Sequence, residues 1–122
     1  MSGAMSGGWV MKLGEALAPL PLPATSKWPD GEPYQCVVNE PGAQILIFAP
    51  RGTDHQTPHN RNEAYFVVGG SATLKMDGET HAVGAGDLVW VPKDVEHRFC
   101  DMSDDFVTWV AFFGLKDTPT KG

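Results

Sequence analysis

The stretch "DHQTPHNRNEAYFVVGG", Asp54 to Gly70, places His55, His59 and Glu63 just ahead of an apolar run. A third histidine outside it, His97, opens the segment "EHRFC". Two imidazoles and one carboxylate make a good set for a divalent metal. If they share a face and leave positions open, they match the two-histidine, one-carboxylate arrangement that suits non-haem iron. His59 and Glu63 are four residues apart, and residues an even number apart share a face of a strand. The intervening "NRN" reads as a turn, so spacing alone leaves a second reading open: polar residues leading into a strand. His81, among the polar residues of "ETHAV", reads as a surface histidine.

The elements that must position these residues are short and β-rich. Runs at Tyr34–Asn39, Gln44–Ala49, Glu63–Val68, Ser71–Met76, Glu79–Val83, Leu88–Pro92, Glu96–Cys100 and Phe106–Phe113 are divided by turn signals. "EPGA", "GG", "GAGD" and "DMSDD" punctuate the chain, and Asp77-Gly78 predicts a tight hairpin. Strands this short, at regular spacing, predict an all-β sandwich or barrel. Before them, Met11–Ala18 predicts a short helix, and Pro19, Pro21 and Pro23 force an extended segment. Parity puts Tyr65 on the face of Glu63 and Phe99 on that of His97; each is either an interior wall of the site or plain core. It turns Cys100 away. Trp90, Trp109, Phe106, Phe112 and Phe113 are enough aromatic bulk to fill a barrel or wall a pocket, and parity does not say which point inward. Arg61 and Arg98 flank the candidate residues, either to hold an anionic substrate or as surface charge.

Order and spacing then add a resemblance. The chain resembles the cupin family, whose first motif is G-x5-H-x-H-x3-4-E-x6-G. Here His59-x3-Glu63 is followed by "AYFVVG" and Gly70. The second motif is G-x5-P-x-G-x2-H-x3-N. Gly86, Pro92, Lys93, Asp94, His97 and Asp101 fall in its register, with Asp94 replacing a glycine and Asp101 the final asparagine. The resemblance covers Tyr34 to Phe113. It implies an all-β double-stranded β-helix, a jelly-roll barrel, with a short N-terminal helical and extended segment. It also implies that His59, Glu63 and His97 hold a divalent ion (Fe, Mn, Ni or Zn) near the barrel mouth. The family's other histidine, two residues before His59, is Thr57 here. Either water completes the three ligands, or a fourth ligand or substrate contact comes from Gln56, through its amide oxygen, or from His55, through a backbone bulge at Pro58, with a plain loop residue as the other reading of His55; Tyr65 or Gln56 is the candidate for orienting a substrate. The boundaries read as an arm over 1–26, a barrel over 27–115 and a tail over 116–122.

Composition narrows the function. The 122 residues carry a formal net charge of -6 and no Lys/Arg-rich run, so no nucleic-acid or anionic-membrane partner is expected. No apolar stretch approaches the roughly 20 residues of a spanning helix. The N-terminus lacks the pattern of an export signal, so a cytoplasmic location is expected, with Cys36 and Cys100 as free thiols. The resemblance implies a metal-dependent enzyme, dioxygenase- or isomerase-like, acting on a small oxygen-chelating molecule. A non-catalytic binding barrel and a metal-free structural barrel are the alternatives. A homodimer is expected, with the apolar N-terminal segments covering a sheet edge or swapping between copies.

Overall fold

The computed structural model describes residues 7–114. Eight strands follow one short helix: α1 Leu13–Leu17, β1 Tyr34–Glu40, β2 Ala43–Phe48, β3 Asn62–Gly69, β4 Ser71–Met76, β5 Glu79–Gly84, β6 Leu88–Val91, β7 His97–Cys100 and β8 Val107–Phe113. They form a five-stranded sheet, β1-β2-β8-β3-β6, and a three-stranded sheet, β5-β4-β7. Every strand pair is antiparallel. This is the expected all-β jelly-roll barrel. The expected tail over 116–122 lies outside the described residues.

Alternation drives the closure. Tyr65 and Val67 of β3, Val89 and Val91 of β6, and Val110 and Phe112 of β8 point inward and meet Leu74, Val83 and Phe99 of the smaller sheet. Phe106, fully buried just before β8, packs on Phe99 with ring centroids 4.9 Å apart. Of the aromatics that parity left undecided, Phe106 and Phe112 turn inward. Trp90 and Phe113 turn outward, and Trp109 is half-buried beneath the N-terminal segment.

The turns show why certain residues stand where they do. Asp77 and Gly78 have φ of 50° and 82°, the positive values a two-residue primed hairpin turn requires. Gly70 has φ of 66°, and a Cβ there would collide with the backbone nitrogen of Phe106 and the hydroxyl of Ser103. Asp94 adopts φ of 68° at the position where the cupin pattern carries glycine. Aspartate tolerates the left-handed region better than most side chains, so this departure keeps the turn.

The N-terminal segment covers a sheet face instead of a sheet edge. Ala16 of α1 is buried against Ile47 of β2 and Val107 of β8, with Met11, Leu13, Leu17 and Leu20 around it. The amide of Gln35 donates to the Ala16 carbonyl at 2.8 Å and ties α1 to β1. The helix is shorter than Met11–Ala18 because Lys12 is extended and caps it, its amide donating to the Glu15 carboxylate at 2.8 Å, and because Pro19 stops it after Ala18.

Candidate metal centre

The two sheets supply the site from opposite walls. Glu63, second residue of β3, sits opposite Val91 and Phe112 on the inner face of the large sheet. His97 opens β7 in the small sheet, opposite Met76. His59 lies in the loop that enters β3. Its carbonyl accepts a hydrogen bond from the Asp94 amide at 2.7 Å, while the Asn62 side-chain oxygen accepts one from the Lys93 amide at 3.0 Å. The turn before His97 is thereby fastened to the loop carrying His59. The ligand atoms of His59, Glu63 and His97 lie within 4.8 Å of one another.

Glu63 and His97 are 1% and 2% exposed. His97 Nε2 is 3.0 Å from Glu63 Oε1, yet neither atom makes a well-formed hydrogen bond. The other imidazole nitrogen, Nδ1, lies 2.8 Å from the Val95 carbonyl and donates to it in the tautomer that contact favours. Nε2 of the neutral ring then turns a lone pair toward a carboxylate oxygen. Leaving a buried polar atom unsatisfied costs about 1–3 kcal/mol. A proton or a cation between the two atoms removes that cost. Burial pulls the His97 imidazole down, but the close approach and negative charge of the Glu63 carboxylate, with the Val95 carbonyl and the charge of Asp54, outweigh it and raise its pKa above 6.5. His59 behaves oppositely. Burial lowers its pKa, with Glu63 opposing and His97, Lys27 and Arg61 adding to the drop. Its Nε2 is 3.8 Å from Glu63 Oε1. Two imidazole nitrogens and a carboxylate oxygen gathered this closely are a donor set that suits a divalent ion once the proton on His97 is displaced.

Gln56 and His55 part company. Gln56 is buried, and its Oε1 lies 3.3 Å from His59 Nε2 and accepts the Tyr65 hydroxyl proton at 3.0 Å. His55 turns away, edge-on to Trp28 at 5.4 Å, toward a separate cavity of about 330 Å³ between the N-terminal segment and the barrel. Thr57 is exposed; its hydroxyl is 3.4 Å from Lys27 Nζ. The polar side chain that reaches the site ahead of His59 is therefore Gln56. His81 is exposed beside Glu79, and Arg98 is exposed on β7.

The sequence reading missed Asp54. This carboxylate is 2% exposed and organises the floor. It accepts from the Gln56 amide nitrogen at 2.6 Å, from the Gln56 backbone at 3.0 Å and from the Phe99 backbone at 2.9 Å. With Nε2 of Gln56 committed to Asp54, Oε1 must face His59 and Tyr65. The available signal was Asp54 and Gln56 two residues apart, the spacing at which an aspartate accepts from the backbone two residues on.

Above this floor is a cavity of about 370 Å³. Trp28, Tyr34, Phe48 and Phe112 are among its walls; Lys27 and Arg61 bring cations to it. Tyr65 is fully buried, and burial, then the charges of Glu63 and Asp54, holds its hydroxyl protonated well above the usual range. Cys36 lines the same cavity as a free thiol, and Cys100 is also unpaired. Burial pushes the Cys36 thiol up, against a thiolate role.

Comparison with known proteins agrees with this architecture. The cupin domain family matches residues 44–113. An uncharacterised protein of Streptomyces coelicolor is 43% identical over 60 residues, 49% of this chain and 57% of the relative. The crystal structure of the DMSP lyase DddQ from Ruegeria pomeroyi superposes with a TM-score of 0.62 at 23% identity, over 70% of this chain and 48% of the lyase. An RmlC-like cupin protein from Methanocaldococcus jannaschii, a double-stranded β-helix, gives a TM-score of 0.60 at 26% identity, over 66% and 78% of the two chains. The chain thus spans little more than half of the Streptomyces relative and about half of the lyase. With the family match covering more than half of its length and both motifs carrying the barrel, the chain belongs to the cupin domain family.

Proposed function

We propose that this cupin binds a divalent metal ion through His59, Glu63 and His97 and uses it to act on a small oxygen-chelating molecule. One observation carries the reading: Glu63 Oε1 and His97 Nε2 face each other, buried and without hydrogen bonds. The ion supplies Lewis acidity or a meeting place for dioxygen and substrate. The protein's own groups do the rest. Asp54 fixes the Gln56 amide so that its oxygen faces the site, as a fourth contact or as a handle for substrate. Tyr65 keeps its proton and donates it as a hydrogen bond. The aromatic walls exclude water from whatever sits above the floor. A dioxygenase- or isomerase-like reaction is consistent with this set, and the arm over 1–26, barrel over 27–115 and tail over 116–122 remain the proposed division.

Metal content by mass spectrometry, wild type beside His97→Ala, tests the proposal. About one ion per chain, lost in the variant, is the expected result. No ion in either protein after loading with Fe(II), Mn(II), Ni(II) or Zn(II) overturns it in favour of a metal-free barrel.

The outer face of the large sheet supports the proposed homodimer. Phe66, Val68, Leu88, Trp90 and Phe113 are 42%, 40%, 66%, 50% and 43% exposed, and Trp90 and Phe113 rings touch at 5.8 Å between centroids. Trp9, 45% exposed, shares a groove with Phe66 at the margin of this patch. A second copy fits, like face on like face. Sedimentation of Trp90→Glu should then shift from dimer to monomer; a wild type that sediments as a monomer rejects this interface. Within the described residues no helix is long and apolar enough to cross a membrane, and the proposed setting is the cytoplasm.

A further inference from the structure

The cavity above the candidate metal centre has buried hydrogen-bond donors that no group among the described residues answers. Arg61 is the clearest case. Its guanidinium carbon lies 4.6 Å from the centroid of the Phe112 ring, over its face. That ring belongs to the cavity wall, so the stacking fixes the charge at the cavity. Among the described residues Arg61 makes no ion pair, and its Nε is buried without a hydrogen-bond partner. Trp28, another wall of the cavity, likewise has a buried Nε1 without a partner. Lys27 Nζ donates to the Thr57 hydroxyl at 3.4 Å, and among the described residues it makes no ion pair. Against two cations, the lining has one carboxylate, Glu63, which lies at the floor.

This is unusual for a chain with 9 Lys and Arg against 15 Asp and Glu. Cations on an acidic protein ordinarily find carboxylates. Here two border an aromatic cavity whose one lining carboxylate, Glu63, is at the floor, and Glu40, which shares a neighbouring groove with Arg61, makes no ion pair with it. An unpartnered guanidinium presents a planar fork of donors, which a carboxylate answers with two oxygens.

We propose that the cavity takes a small organic monoanion, a carboxylic acid with an aromatic or apolar body, its carboxylate held by Arg61. The inference deepens the reading of this cavity as the substrate site. The apolar body packs on Trp28 and Phe48, and the end distant from Arg61 lies over the floor of His59 and Gln56. A volume of about 370 Å³ admits a ligand of on the order of ten to fifteen non-hydrogen atoms. Arg61 is then a specificity-determining residue.

Calorimetric titration tests it with benzoate and phenylacetate against their neutral amides, benzamide and phenylacetamide. Each is titrated into metal-free and Zn(II)-loaded protein. The acids should bind at least about tenfold more tightly than the amides in both forms, the scale of a charge-assisted hydrogen bond. The preference should weaken with added salt. Arg61→Gln should erase it, bringing the affinity for each acid down to that for its amide, and Arg61→Lys should restore part of it. Equal affinity for acid and amide overturns the proposal, as does a preference that survives Arg61→Gln in metal-free protein, or no binding of either acid. A melting curve for each variant separates loss of the anion contact from loss of the fold. The two readings fail separately: a protein that holds no metal yet prefers acids through Arg61 rejects only the metal centre. One that holds metal without that preference rejects only the anion site.

Discussion

The two histidines of the candidate centre differ in almost every physical respect. His97 is carried by a strand, is 2% exposed, and has its rear nitrogen held by the Val95 carbonyl. His59 sits in a loop with its side chain 29% exposed, and its ring leans on Phe112 at 4.8 Å and on His97 at 5.4 Å. Glu63 raises the pKa of one, while burial lowers that of the other. A rigid, buried member and a half-exposed one make a site with a fixed side and an adjustable side. The fixed side bears on the stability of the barrel as well as on metal binding. The adjustable side bears mainly on binding.

The largest expected effect follows from removing one partner of the buried pair. His97→Ala should abolish metal binding and lower folding stability by about 3 kcal/mol, because Glu63 is left buried without a counterpart. His59→Ala should also cost metal affinity, but change the stability of metal-free protein by less than about 1 kcal/mol, as at a half-exposed site. Denaturant unfolding of both variants without metal measures the contrast. Equal losses would break the distinction between the two sides.

A smaller effect is expected one layer behind. Asp54→Asn replaces an acceptor of three hydrogen bonds with an amide that competes with Gln56 and Phe99. Metal affinity should fall about 10- to 100-fold, the usual range for loss of a supporting contact. Gln56→Glu is the sharper companion. A carboxylate at the His59 side should raise affinity for a divalent ion if Gln56 Oε1 faces the ion, and leave it unchanged if Gln56 serves only Tyr65. Competition with a chromophoric chelator reads both variants.

The smallest effect is a slope. His97, with its raised pKa, keeps a proton that competes with metal, whereas His59, with its lowered pKa, does not. Affinity should rise with pH through the raised value, releasing about one proton per ion, and level off above it. A release of two protons would mean that the histidines titrate alike. Without metal the sign reverses for stability. The contribution of protonated His97 beside Glu63 is fully present below 6.5 and is lost as pH rises through its raised folded value.

Much of this site is legible in the chain. The spacing of His59 and Glu63, and the register of Gly86, Pro92 and His97, name the three candidates and the barrel. Parity assigns the inward turn of Tyr65 and Phe99. It fails for Gln56, because alternation has no force where the backbone is not a strand. The segment from Asp54 to His59 is irregular, and Asp54 accepting the Gln56 amide decides which side chain enters. Parity also fails to identify a covered face when both faces of a sheet are apolar, as for Phe66, Leu88 and Trp90.

By itself the sequence determined the strands, their turns and the residue types that meet, since alternation, turn chemistry and motif spacing are local properties. Asp94 in a glycine's place could be read as a turn on the same grounds. Only the tertiary structure decided that Gln56 and not His55 reaches His59, that Arg61 stacks on Phe112, and that α1 packs on a sheet face. Those outcomes depend on which segments meet across the barrel. A chain read one residue at a time does not contain the distance between Asp54 and Phe99, or between Glu63 on one sheet and His97 on the other.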